Sequence, residues 1–196
     1  MVEATETGMF SSTLLEEIRK QFMYVDWDPY SGQRVYLEAS GGSLRLKSVV
    51  ESIAKETALP DELYRYNPAS DHVVQSIEKG IEDVKLFLGA KSGYIMPAQS
   101  ATHAIFRAIN AVTSHIPGTN IVTTELEHPA VLSSTRIFAE RSGMEWRVAR
   151  LSRETSTVPK EAILEQVDKD TCMLVFQHGS NQTGAINDAA AIVKEA

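Results

Sequence analysis

The sequence predicts an α/β fold, and three observations carry that prediction. Short apolar runs at residues 94–96, 121–124, 146–151 and 172–176 alternate with stretches of helical periodicity. The runs are continuous rather than alternating, as expected of strands covered on both faces. The spacing between them admits a crossover helix each time, which makes neighbouring strands parallel.

Element by element, LLEEIRKQF near the start has amphipathic helical spacing, and residues 26–32 (DWDPYSG) are turn-forming. RVYLEASGGS reads as a short strand running into small residues, and a helix follows from Lys47 to Thr57. LPDELYRYNPASDH is loop-like, punctuated by Pro60 and Pro68. Val74, Ile77, Ile81, Val84 and Leu88 then recur at helical spacing, with Gly89 as the stop. The strand at 94–96 leads to a helix carrying Ile105, Ile109 and Val112, and the strand at 121–124 leads to a helix over 130–141. The strand at 146–151 precedes a helix near 160–167, and the strand at 172–176 precedes one at 188–196. No short-period repeat is present. The last helical pattern, DAAAIVKEA, has no glycine, asparagine or proline to close it, and no strand follows to receive the crossover. The expectation is a chain truncated at its C-terminus; the alternative is a terminal helix packed on the sheet edge.

At 196 residues with 43% hydrophobic content, the chain can bury a sizeable core. Its 23% charged content, without low-complexity sequence, predicts an ordered, soluble protein. No apolar stretch is long enough to span a bilayer and MVEATETGMF lacks a signal-peptide layout, so the expected location is the cytoplasm. The net charge is −7 with scattered basic residues, which excludes an evident nucleic-acid surface. The histidines show no metal-ligand spacing, so no metal is expected. The single cysteine, Cys172, cannot form an internal disulfide; its place in the apolar run TCMLVF predicts a buried strand residue, with a reactive thiol as the alternative.

In open α/β sheets, ligands collect outside the carboxyl ends of the strands. Three such ends carry small or polar residues: PAQSATHAI after 94–96, ELEHPAV after 121–124, and QHGSNQTGAIN after 172–176. Gln99-Ser100-Ala101-Thr102 opens a helix, where free N–H groups and the helix dipole suit a phosphate, or simply an ordinary cap. His128 precedes Pro129 at the start of the next helix, where it could cap that helix or lie over an aromatic ligand. Residues 180–184 (SNQTG) offer amide and hydroxyl groups, or plain turn chemistry. Each segment alone is ordinary; their succession on consecutive strand–helix units is the signal. G-x-G-x-x-G and P-loop patterns are absent, which argues against a nucleotide-binding domain.

From Val35 to its last residue the chain resembles class V aminotransferases, the fold-type-I pyridoxal-phosphate enzymes that include cysteine desulfurases and selenocysteine lyases. TELEHPAV and HGSNQTGAIN are the specific matches; VYLEASGG and SATHAI match more loosely. The resemblance implies that His128 stacks on the pyridine ring and helps with proton transfers. It implies that Ala101 (backbone N–H) and Thr102 (N–H and hydroxyl) hold the phosphate. Asn181 would reach the phenolic-oxygen side of the cofactor and the substrate carboxylate, and Ala39 and Ser40 would line the substrate mouth. Residues 1–72 would contribute to a small domain and that mouth, and 73–196 would form the first, incomplete part of the large cofactor-binding domain. The implied activity is desulfurase or lyase chemistry on a small amino acid, in a homodimer; the alternative is a noncatalytic homologue or fragment serving dimerisation or partner binding.

The departures are specific. Ser100 stands for the glycine of the phosphate loop, His103 for the acidic residue after its threonine, and Glu38-Ala39-Ser40-Gly41-Gly42 for an asparagine-rich start. The Schiff-base lysine and the aspartate for the pyridinium nitrogen would fall beyond Ala196, and neither Lys169 nor Lys194 substitutes. Residues 1–196 alone are therefore expected to be inactive and poorly soluble.

Overall fold

Helices form here where an apolar period meets a cap. The computed structural model describes residues 10–60 and 63–196. The N-terminal stretch without a signal pattern (to residue 9) and residues 61–62 of the expected loop lie outside that description. The chain divides into two units, Met1–Ile95 and Met96–Ala196.

In the first unit, α1 (Ser12–Lys20) begins where the Ser11 side chain accepts the Leu14 N–H. A two-residue hairpin, β1 (Trp27–Asp28) and β2 (Gly32–Gln33), closes over the expected turn. There the Asp28 carboxylate accepts the N–H groups of Tyr30 and Ser31 at 2.9 and 2.8 Å. Helix α2 spans Lys47–Thr57, as its periodicity predicts. Helix α3 spans Pro68–Phe87, so it begins inside the segment expected to be loop. The reason is local: Asn67 accepts the Ser70 N–H at 3.0 Å, and Pro68 occupies the first turn, where its missing N–H costs nothing. Gly89 ends the helix with φ +62°, donating to Leu86 O while Ala90 donates to Lys85 O.

Two expected strands do not form. Residues 34–40 are irregular, with Val35 and Leu37 84% and 91% exposed. No strand among the described residues lies beside them to take up their backbone groups, and the Tyr36 hydroxyl instead reaches the Glu38 and Gly42 carbonyls. Residues 94–96 are likewise unpaired, and Tyr94 is fully exposed.

The second unit follows the predicted alternation: α4 (Ala101–His115), β3 (Asn120–Thr124), α5 (Pro129–Arg141), β4 (Glu145–Ala149), α6 (Lys160–Leu164), β5 (Thr171–Val175) and α7 (Ala189–Glu195). The strands pair in parallel in the order β4-β3-β5. The central strand, β3, is buried along its whole length. Its side chains alternate between two helical layers. On one face Trp146, paired with Ile121, donates its indole N–H to Thr135 of α5 at 3.0 Å. On the other, Leu126, Ala149, Val158, Ile163 and Ile192 form one cluster with α6 and α7. Burying side chains of this size contributes about 1.5–3 kcal/mol each, which makes this cluster and β3 the centre of the unit. Cys172 is buried in β5, its thiol donates to Ile116 O at 3.4 Å, and burial pushes its pKa up, as suits a structural residue.

Candidate functional site

Three parallel strands share one carboxyl edge, and the segments singled out in the sequence meet that edge from two directions. Residues 125–128 leave the end of β3, and residues 176–187 leave the end of β5. Helix α4 arrives from the opposite sense. Its C-terminal end is held at the far edge, where Ile116 O takes the Cys172 thiol and Thr119 N–H donates to Asp170 O. Fifteen residues at about 1.5 Å rise carry its N-terminus back along the sheet toward the carboxyl edge.

Ala101 and Thr102 are the first two residues of α4 and are exposed. Ser100 caps the helix by accepting the His103 N–H at 3.1 Å, and its carbonyl takes the Ala104 N–H. The N–H groups of Ala101 and Thr102 remain with no helical acceptor, at the positive end of the dipole. Ser100, in place of a loop glycine, adopts extended backbone (φ −158°), so its side chain brings no strain.

His128 is the exposed N-cap of α5, and its Nδ1 accepts the Ala130 N–H at 3.1 Å. That bond places the proton of a neutral ring on Nε2 and fixes the plane of the imidazole. Capping and ligand contact, alternatives in the sequence, are thus compatible: one nitrogen closes the helix and the other stays free. Pro129 holds the first helical position, as its sequence predicts.

Asn181 is exposed at the tip of a loop that is tied closed beneath it. Gly179 bridges to Ile186, Ser180 N–H donates to Ala185 O at 2.8 Å, and the buried Ser180 hydroxyl accepts the N–H groups of Gln182 and Thr183. Gly184, at φ +73°, makes the return turn that a side chain would disfavour. At the base, Asn187 donates to Gln177 O at 2.7 Å.

The link between the β3 and β5 ends is a residue that sequence reasoning missed. Glu127 is 2% exposed, and its Oε1 accepts the Thr124 hydroxyl at 2.6 Å and the Gln177 N–H at 3.0 Å. Gln177 in turn donates its side-chain amide to Leu126 O. Burial raises the Glu127 pKa, and the two hydrogen bonds oppose the rise. A glutamate beside a cap histidine reads as a solvated side chain; only the folding of a loop fifty residues away encloses it. Its neighbour Glu125 does stay near solvent, paired with Arg150 and the Leu151 N–H, which lower its pKa.

Residues 128 and 181 therefore follow the carboxyl ends of β3 and β5, and the direction of α4 carries residues 101–102 toward the same edge. Ala39 and Ser40 belong to the first unit, where both are exposed and Ser40 donates to Glu38 at 2.9 Å. Among the described residues no cluster of three metal-binding side chains occurs, and no helix is long and apolar enough to cross a membrane. The donor set at the edge comprises free amide N–H groups, a threonine hydroxyl, an imidazole and a primary amide. It fits a phosphorylated, flat, polar heterocycle such as pyridoxal phosphate.

A curated cysteine desulfurase of Pectobacterium carotovorum is 26% identical over 194 residues, which cover 93% of this chain and 46% of that protein. The apo structure of the cysteine desulfurase from Thermococcus onnurineus superposes with a TM-score of 0.77 at 21% identity, covering 92% of this chain and 44% of the other. A C-DES mutant with glycine covalently linked to its PLP cofactor gives a TM-score of 0.67 at 17% identity, over 90% and 45% of the two chains. The chain spans about half the length of these relatives, and the structural likenesses establish the fold-type-I α/β architecture. The aminotransferase class-V family model matches residues 35–196, most of the sequence, and on that match the chain belongs to the class V aminotransferases, a pyridoxal-phosphate-dependent family.

Proposed function

We propose that this chain supplies the cofactor-binding wall of a pyridoxal-phosphate enzyme acting on a small amino acid, with cysteine desulfurase or lyase chemistry. What supports the reading is that the His128 cap and the Asn181 loop follow the carboxyl ends of β3 and β5, joined by the Glu127–Gln177 hydrogen bond, while α4 runs back along the sheet so that its N-terminus heads for the same edge. Pyridoxal phosphate, when bound, supplies the electron sink for bonds at the amino acid's reacting carbons. Ala101 and Thr102 hold the phosphate through two N–H groups and a hydroxyl. His128 lies on the ring and, with Nδ1 committed to the Ala130 N–H, moves protons through Nε2. Asn181 serves the phenolic-oxygen side and the substrate carboxylate. Residues 1–72 contribute to a small domain and 73–196 to the large one, in a cytoplasmic homodimer. The cysteine desulfurases among its relatives favour cysteine as the substrate class.

The test uses the full-length gene product titrated with pyridoxal phosphate and followed by the visible absorbance of the bound cofactor. His128→Asn keeps a side-chain oxygen able to cap α5 but removes the ring. The expected result is a wild type that binds and a variant weakened by about 1 kcal/mol, roughly fivefold, with a shifted band. A variant that matches wild type in affinity and spectrum removes His128 from the site; a wild type that takes up no cofactor overturns the reading.

A further inference from the structure

We infer that Glu127 is a positioning residue for this site, a buried carboxylate that fixes the His128 cap and the Asn181 loop relative to one another. The inference rests on the proposal that residues 101–102, 128 and 181 share one ligand. At 2% exposure Glu127 is closed to a molecule arriving from solvent, so it acts through its neighbours.

The connections run both ways from one atom. Oε1 takes the Thr124 hydroxyl, which anchors Glu127, the residue immediately before the His128 cap, to the end of β3. The same atom takes the Gln177 N–H, two positions beyond the end of β5 at Val175. From Gln177 the path continues through its carbonyl to Asn187, the residue that closes the Asn181 loop. His128 and Asn181 lie more than fifty positions apart in the chain, and this path joins the segments that carry them through three side chains.

The group is a costly means of gaining stability. Its second oxygen, Oε2, is buried without a hydrogen-bond partner among the described residues, and burial works against its charged form. An apolar side chain of similar volume would avoid both costs and lose only the link. Buried polar groups of this kind trade stability for a defined arrangement. Here that arrangement sets the angle at which the imidazole and the Asn181 amide face a common ligand.

The experiment compares wild type, Glu127→Ala, Glu127→Asp and Glu127→Gln in the full-length protein. It measures pyridoxal phosphate affinity, circular dichroism within the cofactor's visible band, and amide hydrogen exchange at Gln177. Glu127→Ala should weaken binding about tenfold, diminish the dichroic band and expose the Gln177 amide to exchange. Glu127→Asp keeps the charge but withdraws the oxygen by one methylene, and should show the same defects. Glu127→Gln keeps an acceptor at the Oε1 position and should restore most of both signals. If Ala and Asp lower only the unfolding temperature, leaving affinity and dichroism at wild-type values, Glu127 is merely structural and the inference is overturned. Should Ala fail to fold, an Asp variant indistinguishable from wild type overturns it equally. A wild type that binds no pyridoxal phosphate overturns the underlying reading and this inference together.

Discussion

A methyl group on Gly118 would lie 2.6 Å from both Cβ and N of Cys172, closer than carbon atoms tolerate. Either the turn entering β3 or the backbone of β5 would have to move, and both are pinned: Thr119 N–H donates to Asp170 O at 2.8 Å, and Cys172 is buried. Gly118→Ala is therefore expected to cost about 1–3 kcal/mol by overpacking, read as a lower denaturation midpoint with unchanged slope. Cys172→Ala in the same chain removes only the thiol and leaves that clash, so it should not rescue the loss. The need for a glycine at this position comes from a strand fifty residues later, which local sequence does not reveal. Glu127 escapes sequence reasoning for the same reason. Cys172 and His128 were legible because the runs around them already fix burial for one and a helix start for the other.

At the level of elements, three strands are joined at their amino ends by one aspartate. Asp168 accepts from Asn120 of β3 at 3.0 Å and from Arg147 of β4 at 2.7 Å, while Thr171 of β5 donates to Asn120. Arg147, followed by Asn120, lowers the Asp168 pKa from its ordinary 3.8 to about 2. A depressed folded-state pKa contributes stability that is complete above the unfolded value and is lost as pH falls through the folded one. Asp168→Asn should therefore flatten the pH dependence of the unfolding midpoint between about pH 4 and pH 2, where wild type loses stability most steeply. Glu127 has the opposite sign, since burial raises its pKa and acid relieves its charge. An unchanged slope in Asp168→Asn would assign acid sensitivity elsewhere. Elements were legible where neighbours were local: β3, β4 and β5 lie within a residue or two of their apolar runs, each paired through its own crossover. Residues 34–40 and 94–96 are as apolar but lack a partner strand among the described residues, and an apolar run becomes a strand only by pairing. Helix α3 starts earlier than its periodicity predicts, because Pro68 reads as a break in the sequence but occupies the first turn.

For the whole chain, helical periodicity reads the buried framework better than the surface. The stripe Val74, Ile77, Ile81, Val84 and Leu88 has the period of a core-facing helix, yet Ile77, Val84 and Leu88 are 44%, 42% and 64% exposed. Leu86 and Phe87, on the last turn of the same helix, are 81% and 88% exposed. Apolar side chains exposed to this extent drive association through the area it removes from water, at about 25 cal/mol per Å². Residues 1–196 expressed alone should accordingly self-associate with rising concentration, seen by light scattering and by binding of an apolar dye. Because Leu86 and Phe87 bury so little, replacing both with serine forfeits little folding energy, and the unfolding midpoint should hold to within about 0.5 kcal/mol per site while association falls. If instead the double variant unfolds earlier and scatters as much as wild type, these side chains are covered in solution, and association must arise from another face, such as the outer edges of β4 and β5, unpaired among the described residues.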